Sequence, residues 1–430
     1  MFFKHVKNIA AVILAVNLIA TVVPAAADNQ QDVSATKKVS ASSEDEYYFE
    51  QYETYVEQFE AQNTGSKITL TGENTAELNC ERLKEYGGAE NVLKLSKAGE
   101  SVSWNFSVEK SDFYEIYLTY APFNAYGTDL TVSVMFDGKA AYSALENVVI
   151  PRFWENITND FEVDKDGNHI TPEQVLVKTF NTWALKDNAG VVLEPYKIYL
   201  EAGTHSFTVK VGEEPIVLKS VELSAYDTVK SYSEVYDSSK KTDASAETIY
   251  IEAEKANIKT SNSIVPKSDS SANLTPTSPV YDYLNSIGGA TWGSAGDTLY
   301  WNFDVKASGY YKLAFNYKQS DVINGESFRW IKIDGKTPFK EMENVKFSYS
   351  NKWKYTEFKN ENNKPYYIWL DKGTHTFSME VTISYISDYY KRLQKTVDML
   401  SETYMDIVMI TGDSPDVNRD INAANNCLNR

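Results

Sequence analysis

One stretch of this chain is written twice. Residues 101–148 align with residues 298–345 without a gap, at a constant offset of 197 (Trp301 against Trp104). The shared frame runs from Trp104-Asn105-Phe106 and Trp301-Asn302-Phe303 through Tyr114 and Tyr120 against Tyr311 and Tyr317. It continues in Asp137-Gly138-Lys139 against Asp334-Gly335-Lys336 and closes on Glu146-Asn147-Val148 against Glu343-Asn344-Val345. A second block repeats at an offset of 170, with Gly203-Thr204-His205 against Gly373-Thr374-His375. An internal repeat decides the architecture before any local propensity does, and two copies are too few for a solenoid. The chain therefore carries tandem domains.

Each copy alternates apolar and polar residues in short runs. In the first these are residues 67–71, 101–108, 114–120, 130–136, 196–200, 206–211 and 217–223. Turn residues such as Asp137-Gly138 and Ala202-Gly203 separate them. Short strands with polar turns point to an all-β protein of two tandem antiparallel jelly-roll sandwiches. Helical spacing is confined to accessory segments. Tyr48, Tyr52, Tyr55, Val56 and Phe59 mark an amphipathic helix within residues 46–61, and Tyr389, Leu393, Val397, Leu400 and Tyr404 mark another across 386–404. The run Asp406-Ile-Val-Met-Ile-Thr411 reads as the closing strand of the second copy, taking the place of residues 216–223 in the first. The first copy holds about 27 additional residues between Val148 and Tyr196.

Residues 1–27 have the form of an export signal: Lys4 and Lys7, an apolar run from Ile9 to Val23, and a small-residue end at Pro24-Ala25-Ala26-Ala27. That run is too short to span a bilayer. The expected organisation is a signal at 1–27, a polar tether at 28–45, a first domain at 46–226, a Ser- and Lys-rich linker at 227–247, a second domain at 248–412 and a tail at 413–430. The formal charge of −18, or −20 once Lys4 and Lys7 leave with the signal, argues against nucleic acid, whose binding draws on Lys and Arg. A secreted chain with no membrane insertion is expected. Cys80 and Cys427 stand in unrelated contexts, and the sequence leaves their pairing open.

The motifs Ile251-Glu252-Ala253-Glu254, Trp-Asn-Phe, Gly309-Tyr310-Tyr311, Asp-Gly-Lys and Gly-Thr-His recur in an order that resembles galactose-binding-like jelly rolls. The resemblance is to carbohydrate-binding module families six and thirty-five in particular. Residues 186–200, Asp164-Lys-Asp-Gly-Asn168 and Met409-Ile-Thr-Gly-Asp-Ser-Pro415 are in addition similar to the N-terminal modules of large bacterial extracellular solute-binding proteins of carbohydrate ABC transporters. In that group a two-lobed sugar-binding domain follows, and this chain stops soon after Pro415. The resemblance implies glycan as ligand. It also implies a structural calcium at Glu252 and Glu254, with Glu73 as the surviving carboxylate in the first copy. These carboxylates are only part of the six to eight oxygens that calcium takes.

The repeated Trp104, Trp301, His205 and His375 read as scaffold, since a lone histidine without a Cys or His partner is poor metal evidence. Sugars stack their C–H faces on aromatic rings and need polar groups at the rim, so the non-repeated aromatics are the better ligand candidates. They are Trp154 and Trp183, with Arg152 and Asn156 close in sequence, and Tyr281, Tyr283, Trp292 and Trp353 in the second copy. The tail segment Asp416, Asn418, Asp420, Asn422 imitates the start of a calcium loop, but Ile421 and Cys427 stand where the glycine and the final acid belong. No nucleophile elbow, phosphate loop, dinucleotide fingerprint or pair of carboxylates at a fixed separation appears. The sequence thus points to a secreted, non-catalytic carbohydrate-binding protein. The alternative is an accessory portion of a carbohydrate ABC transporter solute-binding protein with no sugar site of its own.

Overall fold

The computed structural model describes residues 47–123, 127, 129–240 and 248–412. The expected signal at 1–27, the tether at 28–45 and the tail at 413–430, with Cys427, lie outside the described residues. The chain is all-β with a few helices. The first unit opens with helix α1 (Tyr48–Glu57) and continues through β1 (Lys67–Thr71), β2 (Thr75–Asn79), β3 (Glu81–Tyr86), β4 (Ala89–Leu95), β5 (Ser101–Val108), β6 (Asp112–Pro122) and β7 (Leu130–Phe136). Then come β8 (Val148–Ile150), β9 (Trp154–Asn156), β10 (Gln174–Leu176), β11 (Asn181–Ala184), β12 (Lys197–Leu200), β13 (Gly203–Val211) and β14 (Ile216–Ala225). A short helix α2 (Tyr232–Val235) precedes β15 (Ile258–Lys259), β16 (Pro266–Ser268), β17 (Leu284–Ile287), β18 (Thr298–Val305), β19 (Gly309–Tyr311) and β20 (Ala314–Gln319). The second unit closes with β21 (Glu326–Ile333), β22 (Val345–Ser348), β23 (Ser350–Glu357), β24 (Ile368–Leu370), β25 (Gly373–Thr382) and helix α3 (Ile386–Thr411).

One layer of each unit has the same order. In the first it is β2-β5-β13-β7-β8, and in the second β15-β18-β25-β21-β22. The repeated residues build this layer. The Trp104 indole N–H donates to the Thr71 carbonyl at 2.7 Å, and the Trp301 indole repeats the bond to the Ala253 carbonyl at 3.0 Å. Asp137-Gly138 and Asp334-Gly335 form two-residue turns with positive φ at both positions, the geometry that Asp-Gly supplies at low cost. His205 Nδ1 meets Asp137 Oδ2 at 2.8 Å, and His375 Nδ1 meets Asp334 Oδ2 at 2.6 Å. The second ring nitrogen of each bonds a backbone carbonyl, of Glu201 and of Asp371. Burial would lower both imidazole pKa values, and the hydrogen bonds to the aspartates and carbonyls outweigh it and raise them. These histidines staple a turn to a strand.

The other layer differs between copies. In the first, β14 lies centrally between β6 and both β4 and β1, and its Ile216, Leu218, Val221 and Leu223 are sealed against Leu118 and Tyr120. Burying side chains of this size contributes about 1.5–3 kcal/mol each. The second copy has no counterpart to β14 among the described residues. The run 406–411 expected to supply that strand is the last turn and a half of α3 instead. The apolar positions Val397, Leu400, Tyr404 and Ile407 keep three-four spacing into it, so helical phase carries through and no neighbouring strand competes for its backbone. As a result β19 pairs only with β24 and β20 only with β23, as separate two-stranded sheets. Residues 249–252, which align with β1, form no strand because the partner of β1 is missing, and 253–255 form a single 3-10 turn.

The segment 227–240, expected as linker, holds α2. Tyr232 packs edge-on to Phe339 at 5.1 Å and Tyr366 at 4.9 Å. This repeats Tyr52 of α1, which packs on Tyr142 at 5.1 Å and Tyr196 at 5.4 Å. Each sandwich is thus introduced by a helix that drops a tyrosine onto the same two rings.

The first copy's additional residues contribute three short strands among their loops. The β9–β10 hairpin extends the second copy's layer through β15, giving β10-β9-β15-β18-β25-β21-β22. Lys259 on β15 pairs in register with Trp154 on β9, and its fully buried ammonium donates to Asn156 Oδ1 at 2.6 Å and to Gln174 Oε1. Desolvation pulls that lysine down to about 8. A second cross-unit contact joins Lys186, whose ammonium also sits 4.2 Å from the Trp183 ring centroid, to the buried Glu380. Losing one partner of such a pair leaves a buried charge uncompensated. Glu380→Ala should therefore cost about 3–5 kcal/mol, and Lys186→Met with Glu380→Leu much less. Thermal unfolding of the two variants checks this, and equal losses in both would refute the pair's buried character.

Candidate functional site

Two of the four candidates of the first copy, Trp154 and Asn156, are drawn into the junction between units. Arg152 Nη2 lies 3.2 Å from Glu214 Oε2, and both side chains are nearly buried. Trp154 stands on β9 in the shared sheet. Asn156 is 7% exposed, and its amide is spent on Lys259, Gln174 and Asn159. Trp183, on β11, is 6% exposed against Phe153 and Lys186. Their expected place in open loops is corrected for Trp154 and Trp183, which stand on strands: Trp154 and Asn156 join the two units through β15, while Arg152 and Trp183 pack within the first unit.

In the second copy, Trp292 forms a lid on Arg329, whose guanidinium lies 4.4 Å from the indole and donates to the Trp292 carbonyl at 3.1 Å. The Trp292 indole N–H donates to the Asp297 carbonyl at 3.2 Å. Burial brings Arg329 down to about 10 and Asp297 up to about 6. Trp353 is half-buried on β23. Neither tryptophan adjoins Tyr281 and Tyr283.

Tyr281 and Tyr283 do come together. Their rings stack at 6.1 Å with 30° between planes, and the series continues from Tyr283 to His169 at 4.6 Å and from His169 to Phe161 at 5.7 Å. Both copies build this ladder of four rings. Residues 161–169 come from the first copy's insertion, and residues 281–283 from the second copy's excursion between β16 and β17. Backbone bonds fasten one to the other: His169 N–H to the Asp282 carbonyl at 2.8 Å, Asp282 N–H to Asn168 Oδ1 at 2.9 Å, and Leu284 N–H to His169 Nδ1 at 3.1 Å. Gly167 adopts φ +91°, and a Cβ there would stand 2.6 Å from the Tyr281 ring, so only glycine lets the two segments close. Asp164 turns the loop by accepting from the Asp166 and Asn168 N–H groups at 2.8 and 2.9 Å. Tyr281 and Asp282 are exposed, and Tyr283, His169 and Phe161 are half-buried. The result is an aromatic platform with carboxylate, amide and hydroxyl groups beside it. Sequence reasoning found the two tyrosines and missed Phe161 and His169, because nothing in the sequence places them beside residues more than a hundred positions away.

The carboxylates implied for calcium are separated. Glu73 accepts from Asn91 Nδ2 at 3.2 Å in the first unit. Glu252 bonds Lys255 at 2.7 Å and is exposed, while Glu254 is 3% exposed. Burial, with the Glu252 charge adding to it, pushes Glu254 up to about 7. No group of three metal-ligating side chains stands together among the described residues. Two carboxylates, one of them tied to a lysine, fall short of a calcium shell by themselves.

The comparisons were made against this background. No family model matches the chain, and no curated protein does. Among the solved structures that it resembles are carbohydrate-binding modules and glycoside hydrolases. A family 35 carbohydrate-binding module from Clostridium thermocellum aligns at 11% identity over 37% of this chain and 97% of its own, with a TM-score of 0.25. A mannan-binding module in its bound conformation aligns at 19% identity over 37% of this chain and 99% of its own, with a TM-score of 0.22. A β-(1,4)-mannanase with a family 35 module from Podospora anserina aligns at 12% identity over 38% of this chain, with a TM-score of 0.24, and this chain spans 28% of its length.

The Glu254 shift has a definite sign. Its folded pKa lies above the ordinary 4.5, so its contribution to stability is complete below pH 4.5 and is lost as pH rises through about 7. Melting of the second unit should therefore decline between about pH 5 and pH 8, less steeply in Glu254→Gln. If calcium occupies the site, millimolar calcium at pH 8 restores the wild type and leaves Glu254→Gln unmoved. Parallel pH profiles for the two proteins would show that Glu254 is not the titrating group.

Proposed function

We propose that this chain binds carbohydrate without turning it over, on the platform of Tyr281, Tyr283, His169 and Phe161. The observation that carries the reading is the ladder itself: adjoining rings fixed by backbone bonds, one end open to solvent, polar groups alongside. Stacking on such rings suits the C–H face of a sugar, and Asp282 and the tyrosine hydroxyls offer hydrogen bonds at the rim. The resemblance of the repeated motifs to carbohydrate-binding modules agrees with this ligand class. In this reading the protein is secreted, and the first copy acts as a brace while the second presents most of the site.

The alternative, a positioning role beside a carbohydrate ABC transporter's solute-binding domain with no sugar site, draws support from the burial of Arg152 and Trp183 in the first unit and of Asn156 at the junction. The two readings part on one measurement. Tyr281→Ala with Tyr283→Ala should lower affinity for a retained polysaccharide about tenfold or more, with melting unchanged, as removal of a stacking anchor does. Affinity electrophoresis across plant and microbial polysaccharides reads this. Failure of the folded wild type to be retarded by any of them would leave the positioning role. Release of reducing sugar during the same incubation would overturn the claim of binding without turnover.

A further inference from the structure

Helix α3 is anchored on one side and bare on the other. Its first turn is fixed by Ser387, buried and donating to the Val191 carbonyl. Further along, Lys391 and Lys395 pair with Glu53 and Glu50 of α1, and Asp398 accepts from the Tyr47 hydroxyl at 2.8 Å. A flank turned away from these anchors carries Tyr390, Leu393, Val397, Leu400, Tyr404 and Ile407, at alternating spacings of three and four, with Ile386 and Thr411 extending the series; Val397 and Ile407 are half-buried in it. Leu393 and Leu400 are each 47% exposed, and Tyr390 and Tyr404 about as much. Nine of the exposed large hydrophobic residues of the whole described structure lie on this one helix.

The spacing is that of a coiled-coil seam, with Ile386, Leu393, Leu400 and Ile407 at d and Tyr390, Val397, Tyr404 and Thr411 at a. All seven charged residues of the helix, from Asp388 to Asp406, fall at b, c or f. The flanking e and g positions hold none, only residues such as Gln394, Thr396, Ser401 and Thr403. Three of the charges, Lys391, Lys395 and Asp398, hold the helix to its own domain, while Tyr390, Leu393, Leu400 and Tyr404 of the apolar seam are exposed.

We propose that α3 pairs with α3 of a second copy of this chain, forming a two-helix seam that joins two molecules. Three observations favour this occupant. The seam reads the same in both directions: in an antiparallel pair Val397 meets Leu400, Leu393 meets Tyr404 and Tyr390 meets Ile407, matching a larger side chain with a smaller or aliphatic one in each layer. The rest of the molecule repels its own kind at a formal −18, and the charge-free seam is where two copies approach without that cost. The helix is also long enough. Its 26 residues span about 39 Å, and a pair of that length buries on the order of 1,500 Å², the size of a standard specific interface. A membrane surface fits less well, because interfacial helices carry Lys and Arg on the polar face and this helix has three basic residues against four acidic ones.

Sedimentation equilibrium of the full chain tests the proposal, since dimerisation makes the average mass rise with concentration, here between about 1 and 100 µM, toward twice that of the chain. Leu393→Asp with Leu400→Asp should weaken association about a hundredfold or more, because each helix would bring two charges into the seam and the pair would bury four. Both leucines are exposed in the single chain, so circular dichroism in the β region and the melting of the sandwiches should stay the same. Met399→Asp is the control: it is 59% exposed but at position c, and should leave the dimer intact. A wild type that stays monomeric throughout overturns the proposal. So does a dimer that survives the double substitution, or one that Met399→Asp weakens equally. Flotation of the wild type, but not of the double variant, with anionic vesicles would assign the face to a membrane instead.

Discussion

The structure depends on one backbone pairing, that of β9 with β15. β15 is only two residues long, and a strand of that length does not hold a sheet edge unaided. In the first copy the corresponding edge strand is β2, with five residues and its own partner in β5. In the second copy the donated β9–β10 hairpin covers that edge, and Lys259 fixes the register by reaching into the amides of Asn156 and Gln174. A buried ammonium answered by neutral oxygens is a costly contact, tolerable where the geometry is over-determined by the strands around it. Removing the hairpin would expose both that ammonium and the edge of a sheet.

Much of this was legible in the residues. The repeat announced two sandwiches, and its identical positions proved to be the pieces that recur for structural reasons: tryptophans that bond a carbonyl, histidines that staple a turn, Asp-Gly pairs that supply positive φ. Where legibility failed, the failures share a cause. Residues 154–156 and 174–176 look like loop because each is short, and their partners lie either close by in a hairpin or a hundred positions away on β15. Residues 406–411 look like a strand because they are β-branched and apolar, but they continue the phase of the helix before them and no strand among the described residues lies beside them to pair with. The helix at 232–235 is too short for a periodic signal and is held by the rings packed on Tyr232 and by the Ser231–Glu234 capping box.

The site follows the same logic. Aromatic residues that do not repeat were sensible candidates, and the fold sorted them by whether their segment was enlisted into a sheet. Trp154 on β9 became mortar between units, and Trp183 on β11 was packed into the first. Those left on the excursion between β16 and β17 kept an open face, and found Phe161 and His169 waiting on the other unit. The platform exists only in the assembled pair.

The missing counterpart of β14 has a consequence for how the chain comes to be folded. During synthesis the first unit emerges whole, with its central strand, before any of the second. The β9–β10 hairpin is then already displayed when β15 leaves the ribosome, and the later unit, whose described residues hold no counterpart of that central strand, grows against a template instead of nucleating a sheet from loop closure. The order of the two copies along the chain is therefore not interchangeable: the complete one has to come first.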